Sequence, residues 1–273
     1  MIDLHVHTWR CRHAEGDVAE YVAAAASAGI RVLAFTEHLP LAPALIDAVP
    51  GAAGYAMPAD ELDLYVAEVL EVRAAAADLG VEVLLGIEAD LVPVAVDHAR
   101  EILARYPFDV VLGSIHLIDD WAFDDPERTA TYADWSIAEL WERYFADLAT
   151  AARTGCADVV AHVDLIKKFR HVPDAPLGGL YRSTAAAIAE TGLAVEVNTA
   201  GLRKPCAELY PALDFLKELN RAGVPVTVGS DAHAPGEVGA GWREAREALE
   251  AAGYRSLVVF RQRQAEEVAL DAL

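Results

Sequence analysis

The sequence predicts a single α/β domain whose seven parallel strands close, or nearly close, into a barrel, and three observations lead to that expectation. Seven apolar, strand-like runs recur along the 273 residues, at 2–6, 31–36, 81–87, 109–115, 158–163, 194–197 and 224–229. Helical patterns lie between them, at 18–28, 62–79, 137–153, 181–191 and 212–222, and glycines at 29, 80, 155, 192 and 223 mark where helices stop. Seven of the nine histidines fall at or just beyond the C-terminal ends of the runs, where a parallel barrel gathers its functional groups.

Strand and helix repeated in alternation make a parallel sheet, and seven repeats favour a barrel over two nucleotide-binding halves. Those halves also need a glycine-rich phosphate loop. No G-x-G-x-x-G follows the first run, and G-x-x-x-x-G-K-[ST] occurs nowhere. A hydrophobic content of 54% suits one core. Residues 1–273 are read as one domain, since no Pro/Gly/Ser-rich linker and no 20–50-residue repeat divides them. The segment 254–260 is either an eighth strand or an edge.

A start at Met1-Ile2-Asp3-Leu4-His5, and the lack of any long uncharged apolar run, point to a soluble, cytoplasmic protein without a membrane role. Three cysteines without C-x-x-C spacing suggest no disulfide framework, and Cys11 reads as a small packed side chain. The formal charge of −21, with no basic patch, repels nucleic acid and anionic membranes, so neither is expected as a partner. An anionic substrate would need a locally positive site, and bound metal ions are the obvious source.

Taken in order, the runs end in metal-ligand chemistry. The first carries His5-Val6-His7, whose extended backbone points both imidazoles to one side, and His13 follows. The second closes with Glu37-His38, the third with Glu88 and then Asp90, the fourth with His116. The fifth carries His162 and then Asp164, and the seventh ends in Asp231-Ala232-His233. One such residue could be a buried polar group with a local partner. Ligand types at six strand ends make a shared site the better explanation. Asp90 either lines that site or caps the next element, while His98 and His171 read as solvent or packing residues.

These motifs resemble the PHP superfamily, and the segments 113–126 (GSIHLIDDWAFDDP), 162–169 (HVDLIKKF), 196–205 (EVNTAGLRKP) and 229–233 (GSDAH) resemble its monofunctional histidinol-phosphate phosphatases. The resemblance runs from Asp3 to about residue 240. It implies a distorted (β/α)7 TIM-like barrel holding three divalent ions. By that resemblance His5, His7, Glu88 and Asp231 hold one ion, Glu88, His116 and His162 a second, and His13, His38 and His233 a third. Glu88 then bridges two ions, and the first shell sums to about +4. Mixed His and carboxylate donors suit Zn²⁺, Mn²⁺ or Fe²⁺ better than Mg²⁺ or Ca²⁺.

The implied reaction is hydrolysis of the small phosphomonoester L-histidinol phosphate by a metal-bridging hydroxide, in histidine biosynthesis. Glu88 and His233 are then catalytic through the ions. Asp164 has two candidate roles, protonating the leaving alkoxide or orienting a ligand histidine. Arg203 and Lys167 are the candidate phosphate clamp, with Lys168 a weaker one, and Asp119, Asp120 and Trp121 would shape the pocket for the amine and imidazole. Another PHP phosphoesterase, acting on nucleotides or other small phosphomonoesters, is the alternative. A non-catalytic module should have lost ligands, and an amidohydrolase should show a strand-end lysine suited to carboxylation. This chain fits neither.

Overall fold

Runs dominated by Val, Leu and Ile form one parallel sheet because helices cover one face and the barrel interior covers the other. The computed structural model describes residues 1–273, the Ala53 side chain excepted. Its strands are β1 (Ile2–Val6), β2 (Val32–Phe35), β3 (Glu82–Asp90), β4 (Val110–Ser114), β5 (Leu117–Ile118), β6 (Trp121–Ala122), β7 (Val159–Val160), β8 (Ala194–Asn198), β9 (Val226–Gly229), β10 (Ser256–Arg261) and β11 (Gln264–Ala269). Seven of them lie in the order β1-β2-β3-β4-β7-β8-β9, every neighbouring pair parallel. All residues of β1, β4, β8 and β9 are buried.

The barrel closes at its C-terminal end. There the Asp231 N–H donates to the His5 carbonyl at 2.8 Å and the His7 N–H to the Ala232 carbonyl at 3.0 Å. The residues that complete the cylinder are therefore the histidine-bearing ones. Strand β7 keeps only two residues of the run at 158–163 because the chain turns at His162, whose φ is +26°. Segment 254–260 is not an eighth barrel strand. Strand β10 pairs antiparallel with β11, and the hairpin tip caps the opposite end of the barrel, where the Arg263 N–H donates to the Asp109 carbonyl at 2.8 Å.

Helices α1 (Val18–Ala28), α2 (Pro43–Ala48), α3 (Leu62–Asp78), α4 (Val96–Leu103), α5 (Ile137–Ala152), α6 (Gly178–Ala189), α7 (Leu213–Arg221) and α8 (Trp242–Ala252) surround the sheet. Helix α1 starts in a reciprocal cap: Asp17 accepts from the Glu20 N–H, and Glu20 accepts from the Asp17 N–H, both at 2.9 Å. Helix α6 begins a turn earlier than the 181–191 pattern suggests, at a pair of glycines. Among the described residues, no helix is long and apolar enough to cross a membrane.

One core contact fixes the floor of the site. The Tyr65 hydroxyl of α3 lies 2.8 Å from the carbonyls of both Phe35 and Gly86, its single proton shared between them. That ties β2 to β3 just below Glu37 and Glu88. Gly86 lets β3 pack closely between β2 and β4 at this level, since a Cβ there would stand 2.6 Å from Thr36 Cγ2 and 2.8 Å from Val110 Cγ1.

Candidate metal centre

Residues two apart on β1 face the same way, so His5 and His7 both enter the barrel mouth. His5 Nε2 lies 3.0 Å from His7 Nε2, 3.3 Å from Glu88 Oε2 and 3.7 Å from Asp231 Oδ1. His7 Nε2 lies 3.2 Å from Asp231 Oδ1 and 3.5 Å from Glu88 Oε2. Two donors bound tetrahedrally at about 2.1 Å to one ion stand about 3.4 Å apart, and these separations bracket that value.

Hydrogen bonds alone do not account for the cluster. His5 Nδ1 lies 2.7 Å from Glu196 Oε1, so a neutral His5 keeps its proton on Nδ1 and aims the Nε2 lone pair at two carboxylates and an imidazole. A lone pair facing carboxylate oxygens calls for a cation between them.

The second group is Glu88, His116 and His162, with Glu88 Oε1 at 2.9 Å from His162 Nε2 and 3.5 Å from His116 Nε2. The third is His13, His38 and His233, whose donor atoms lie within 4.8 Å of one another. His38 Nδ1 also approaches Glu88 Oε2 at 3.1 Å. All nine residues expected as ligands thus lie in one cluster, but the donor groups overlap more than the expected partition: His7 also stands within reach of His38 and Glu88, and of Cys11 and His233.

Neighbours fix the ring orientations, as metal-ligating histidines require. His116 Nδ1 lies 3.1 Å from Asp90 Oδ1, so Asp90 both lines the site and orients a histidine. His13 Nδ1 lies 2.9 Å from the Cys11 carbonyl and His233 Nδ1 3.0 Å from the Asp231 carbonyl. Glu37 accepts from the backbone N–H groups of Thr8, at 2.9 Å, and His38, at 2.8 Å.

The electrostatics show the same demand for positive charge. Burial pushes Glu88 and Asp231 up, yet the imidazoles led by His5 hold both well below the usual carboxylate range. Burial also opposes charge on His7 and His116. Asp231 and Glu37 nevertheless raise the first to about 9, and Asp90 and Glu88 the second to about 10. His13 is lowered to about 4, by burial and then by His38 and His7. In the bare chain, protons supply charge that a dication would displace.

Other expected residues lie elsewhere. Asp164 is fully buried, accepting from Lys167 Nζ at 2.9 Å and from the Ala212 N–H at 2.8 Å, and so is not a proton donor in the cleft. Lys167 is buried with it and also donates to the Leu209 carbonyl at 2.7 Å, which removes it from the phosphate clamp. Its neighbour Lys168 does face the cleft, 3.0 Å from Asp124. Trp121 is buried between Tyr132 and Trp135, its Nε1–H on the Arg128 carbonyl at 3.2 Å. Asp119, at the hairpin tip with φ +57°, pairs with Arg143 at 2.8 Å on the surface. Arg203 holds the Ser230 carbonyl at 2.8 Å and Glu237 at 3.2 Å, beside the site.

Cys11 is packed, its thiol on the Thr8 carbonyl at 3.1 Å. His98 bonds the Pro40 carbonyl at 3.0 Å and His171 stacks on Tyr132 at 4.1 Å, both as packing residues. Sequence reasoning missed the role of Glu196. Its signal was an acid between Val195 and Val197 in a buried strand.

Gly229 exists to let that carboxylate pass: a Cβ there would run into Glu196 Oε1 and stand 2.5 Å from His5 Cβ. Gly229→Ala is expected to lower stability by about 1–3 kcal/mol through overpacking, and to cut metal content with it. Thermal melting and elemental analysis check both.

A cavity of about 370 Å³ opens on the cluster. Asp90, Asp124, Asp125 and Lys168 stand along its wall, and Leu41, Val49, Tyr55 and Pro126 give it an apolar side. Tyr55 donates to Asp125 at 2.6 Å, joining the two rims.

Comparison with known proteins gives two family-model matches, the PHP domain over residues 3–200 and the PHP-associated model over residues 216–252. A probable histidinol-phosphatase of Deinococcus radiodurans is 39% identical over 264 residues, covering 97% of this chain and 98% of that protein. The histidinol-phosphatase of Bacillus subtilis is 29% identical over 256 residues, 87% of this chain and 95% of that protein. Among solved structures, histidinol phosphate phosphatase from Lactococcus lactis, complexed with zinc, L-histidinol and phosphate, superposes with a TM-score of 0.82 at 21% identity. It covers 97% of this chain and 98% of that one, a likeness of fold.

Proposed function

The chain belongs to the PHP domain family, and from that membership we propose that it is a metal-dependent histidinol-phosphatase, hydrolysing L-histidinol phosphate to L-histidinol and phosphate in histidine biosynthesis. The observation that carries this reading is the convergence of the nine candidate ligand residues in a chain 39% identical to a probable histidinol-phosphatase over 97% of its length.

Three divalent ions, drawn from Zn²⁺, Mn²⁺ and Fe²⁺, fit the three donor groups. When bound, such ions supply positive charge to phosphoryl oxygens and acidify water toward neutral pH. The chain's own residues do the rest. Glu88 sets the spacing of the donor groups, while Glu196 and Asp90 fix the rings of His5 and His116. Lys168 gives the cleft a cation near the donor cluster, and Arg203 braces the Ser230–His233 turn. Asp124 and Asp125 suit the ammonium of a small cationic substrate, and the apolar wall suits its ring. This reading treats residues 1–273 as one domain, because the PHP-associated segment supplies α7, β9 and α8 to the same barrel. Three free cysteines support a cytoplasmic location.

The test is phosphate release from L-histidinol phosphate beside nucleoside monophosphates and p-nitrophenyl phosphate, with enzyme reconstituted separately with Zn²⁺, Mn²⁺ and Fe²⁺. We expect kcat/KM for L-histidinol phosphate to exceed the others by at least about a hundredfold, about 2.7 kcal/mol. Chelation should abolish it and metal should restore it. Even, weak activity on all three would leave a general PHP phosphoesterase.

A further inference from the structure

We propose that Glu196 is a positioning residue that couples two of the three candidate ion sites by holding one ligand of each. The inference rests on the metal-centre reading of the donor cluster but not on the identity of the substrate. Glu196 is 1% exposed, and both of its oxygens are used. Oε1 accepts a hydrogen bond from His5 Nδ1 at 2.7 Å. Oε2 accepts from the His162 N–H at 3.0 Å and from Asn198 Nδ2 at 3.1 Å. The same Asn198 amide donates to Asp231 Oδ2 at 3.2 Å. One buried carboxylate therefore reaches His5 and, through Asn198, Asp231 of the first donor group, together with His162 of the second.

The three contacts act differently. At His5 the carboxylate sets the tautomer, since an acceptor at Nδ1 keeps the proton there and leaves Nε2 free for a cation. At His162 it holds the main chain rather than the ring, at a residue bent to φ +26°, where a non-glycine residue needs support. Asp231, at φ +53°, is held through its side chain by Asn198. Two ligands in unfavourable backbone geometry thus share one anchor. Gly229 on the adjacent strand is kept bare of a side chain where the anchor passes.

Glu196→Gln keeps the shape and changes the sign of one contact. The amide can donate to His5 Nδ1, which moves the imidazole proton to Nε2 and takes that nitrogen out of metal binding. Zn²⁺ affinity is read by competition with a chromophoric chelator, stoichiometry by elemental analysis, and folding by the melting of metal-free protein. The expected result is at least one Zn²⁺ bound roughly 10–100-fold more weakly, with a metal-free melting curve close to wild type.

Asp109→Asn is the control, a buried carboxylate at the far end of the barrel that should lower melting and leave Zn²⁺ affinity alone. Asn198→Ala spares both histidine contacts and should weaken only the ion that Asp231 holds, which keeps the test available if Glu196→Gln does not fold. Wild-type Zn²⁺ affinity and stoichiometry in both Glu196→Gln and Asn198→Ala would overturn the proposal. So would equal Zn²⁺ loss in Asp109→Asn. Failure of the phosphatase reading shows separately, as a fully metallated wild type that does not release phosphate from L-histidinol phosphate.

Discussion

Replacing Glu88 by glutamine is expected to lower kcat/KM for L-histidinol phosphate by at least about a thousandfold, about 4 kcal/mol, and to leave the protein short of metal. The size of the effect follows from how many donors share this carboxylate. Oε1 stands 2.9 Å from His162 and 3.5 Å from His116, while Oε2 stands 3.1 Å from His38, 3.3 Å from His5 and 3.5 Å from His7. No other side chain in the cluster touches five imidazoles. Glutamine fills the same volume but removes a negative charge and one of two acceptor oxygens, so it cannot join two cations.

The fold should persist in that variant. Once the carboxylate charge is gone, His5 and His116 lose part of what holds them protonated, and neutral imidazoles pack without mutual repulsion. Elemental analysis, metal-free melting and steady-state kinetics separate the effects. A fully metallated Glu88→Gln enzyme with near-normal turnover would defeat the bridging role.

Most of the candidate donors were legible in the sequence because they are ligand-type residues in or just past the C-terminal part of an apolar strand, and a parallel barrel gathers such ends whatever the loops do; His13, seven residues beyond β1, is the exception. His5 and His7 needed only the two-residue alternation of a strand. Residues beyond the strand ends were not legible in this way. Asp164 and Lys167 follow His162, where a positive φ turns the chain and both side chains are buried away from the cleft that Leu165 and Lys168 line. Asp119 and Trp121 sit on a two-plus-two-residue hairpin whose tip faces solvent and whose base packs on Tyr132, a geometry set by contacts with α5 and the 126–134 turn. Of the adjacent pair Lys167 and Lys168, only structure tells which faces the cleft. Glu196 was hidden for the opposite reason: it lies inside a strand, where an acid reads as a lone exception in an apolar run.

The second large effect concerns that buried pair. Lys167→Met is expected to cost about 3–5 kcal/mol at neutral pH, the usual penalty for stranding one member of a buried ion pair. At about 2–4 °C per kcal/mol for a chain of this size, melting should fall by roughly 10 °C. Asp164 is the group left behind. Its Oδ2 retains only the Ala212 N–H at 2.8 Å, and its Oδ1 has no hydrogen-bond partner among the described residues. Burial already raises Asp164 above the usual aspartate range, and Lys167 is the main influence opposing that rise.

Without the lysine the folded-state pKa climbs further, which gives the loss a pH signature. An acid whose folded pKa lies above its unfolded value binds more protons in the folded state. Stability is then fully present below the unfolded pKa and falls as pH rises toward the folded one. The deficit of Lys167→Met should therefore be small near pH 4 and large at pH 7, and Asp164→Asn added to it should recover much of the loss. Well below its melting point, the variant should bind substrate with KM changed less than about threefold, because Lys167 supports the loop that carries Tyr210 and does not reach the cleft. A large rise in KM with unchanged melting would return Lys167 to the phosphate.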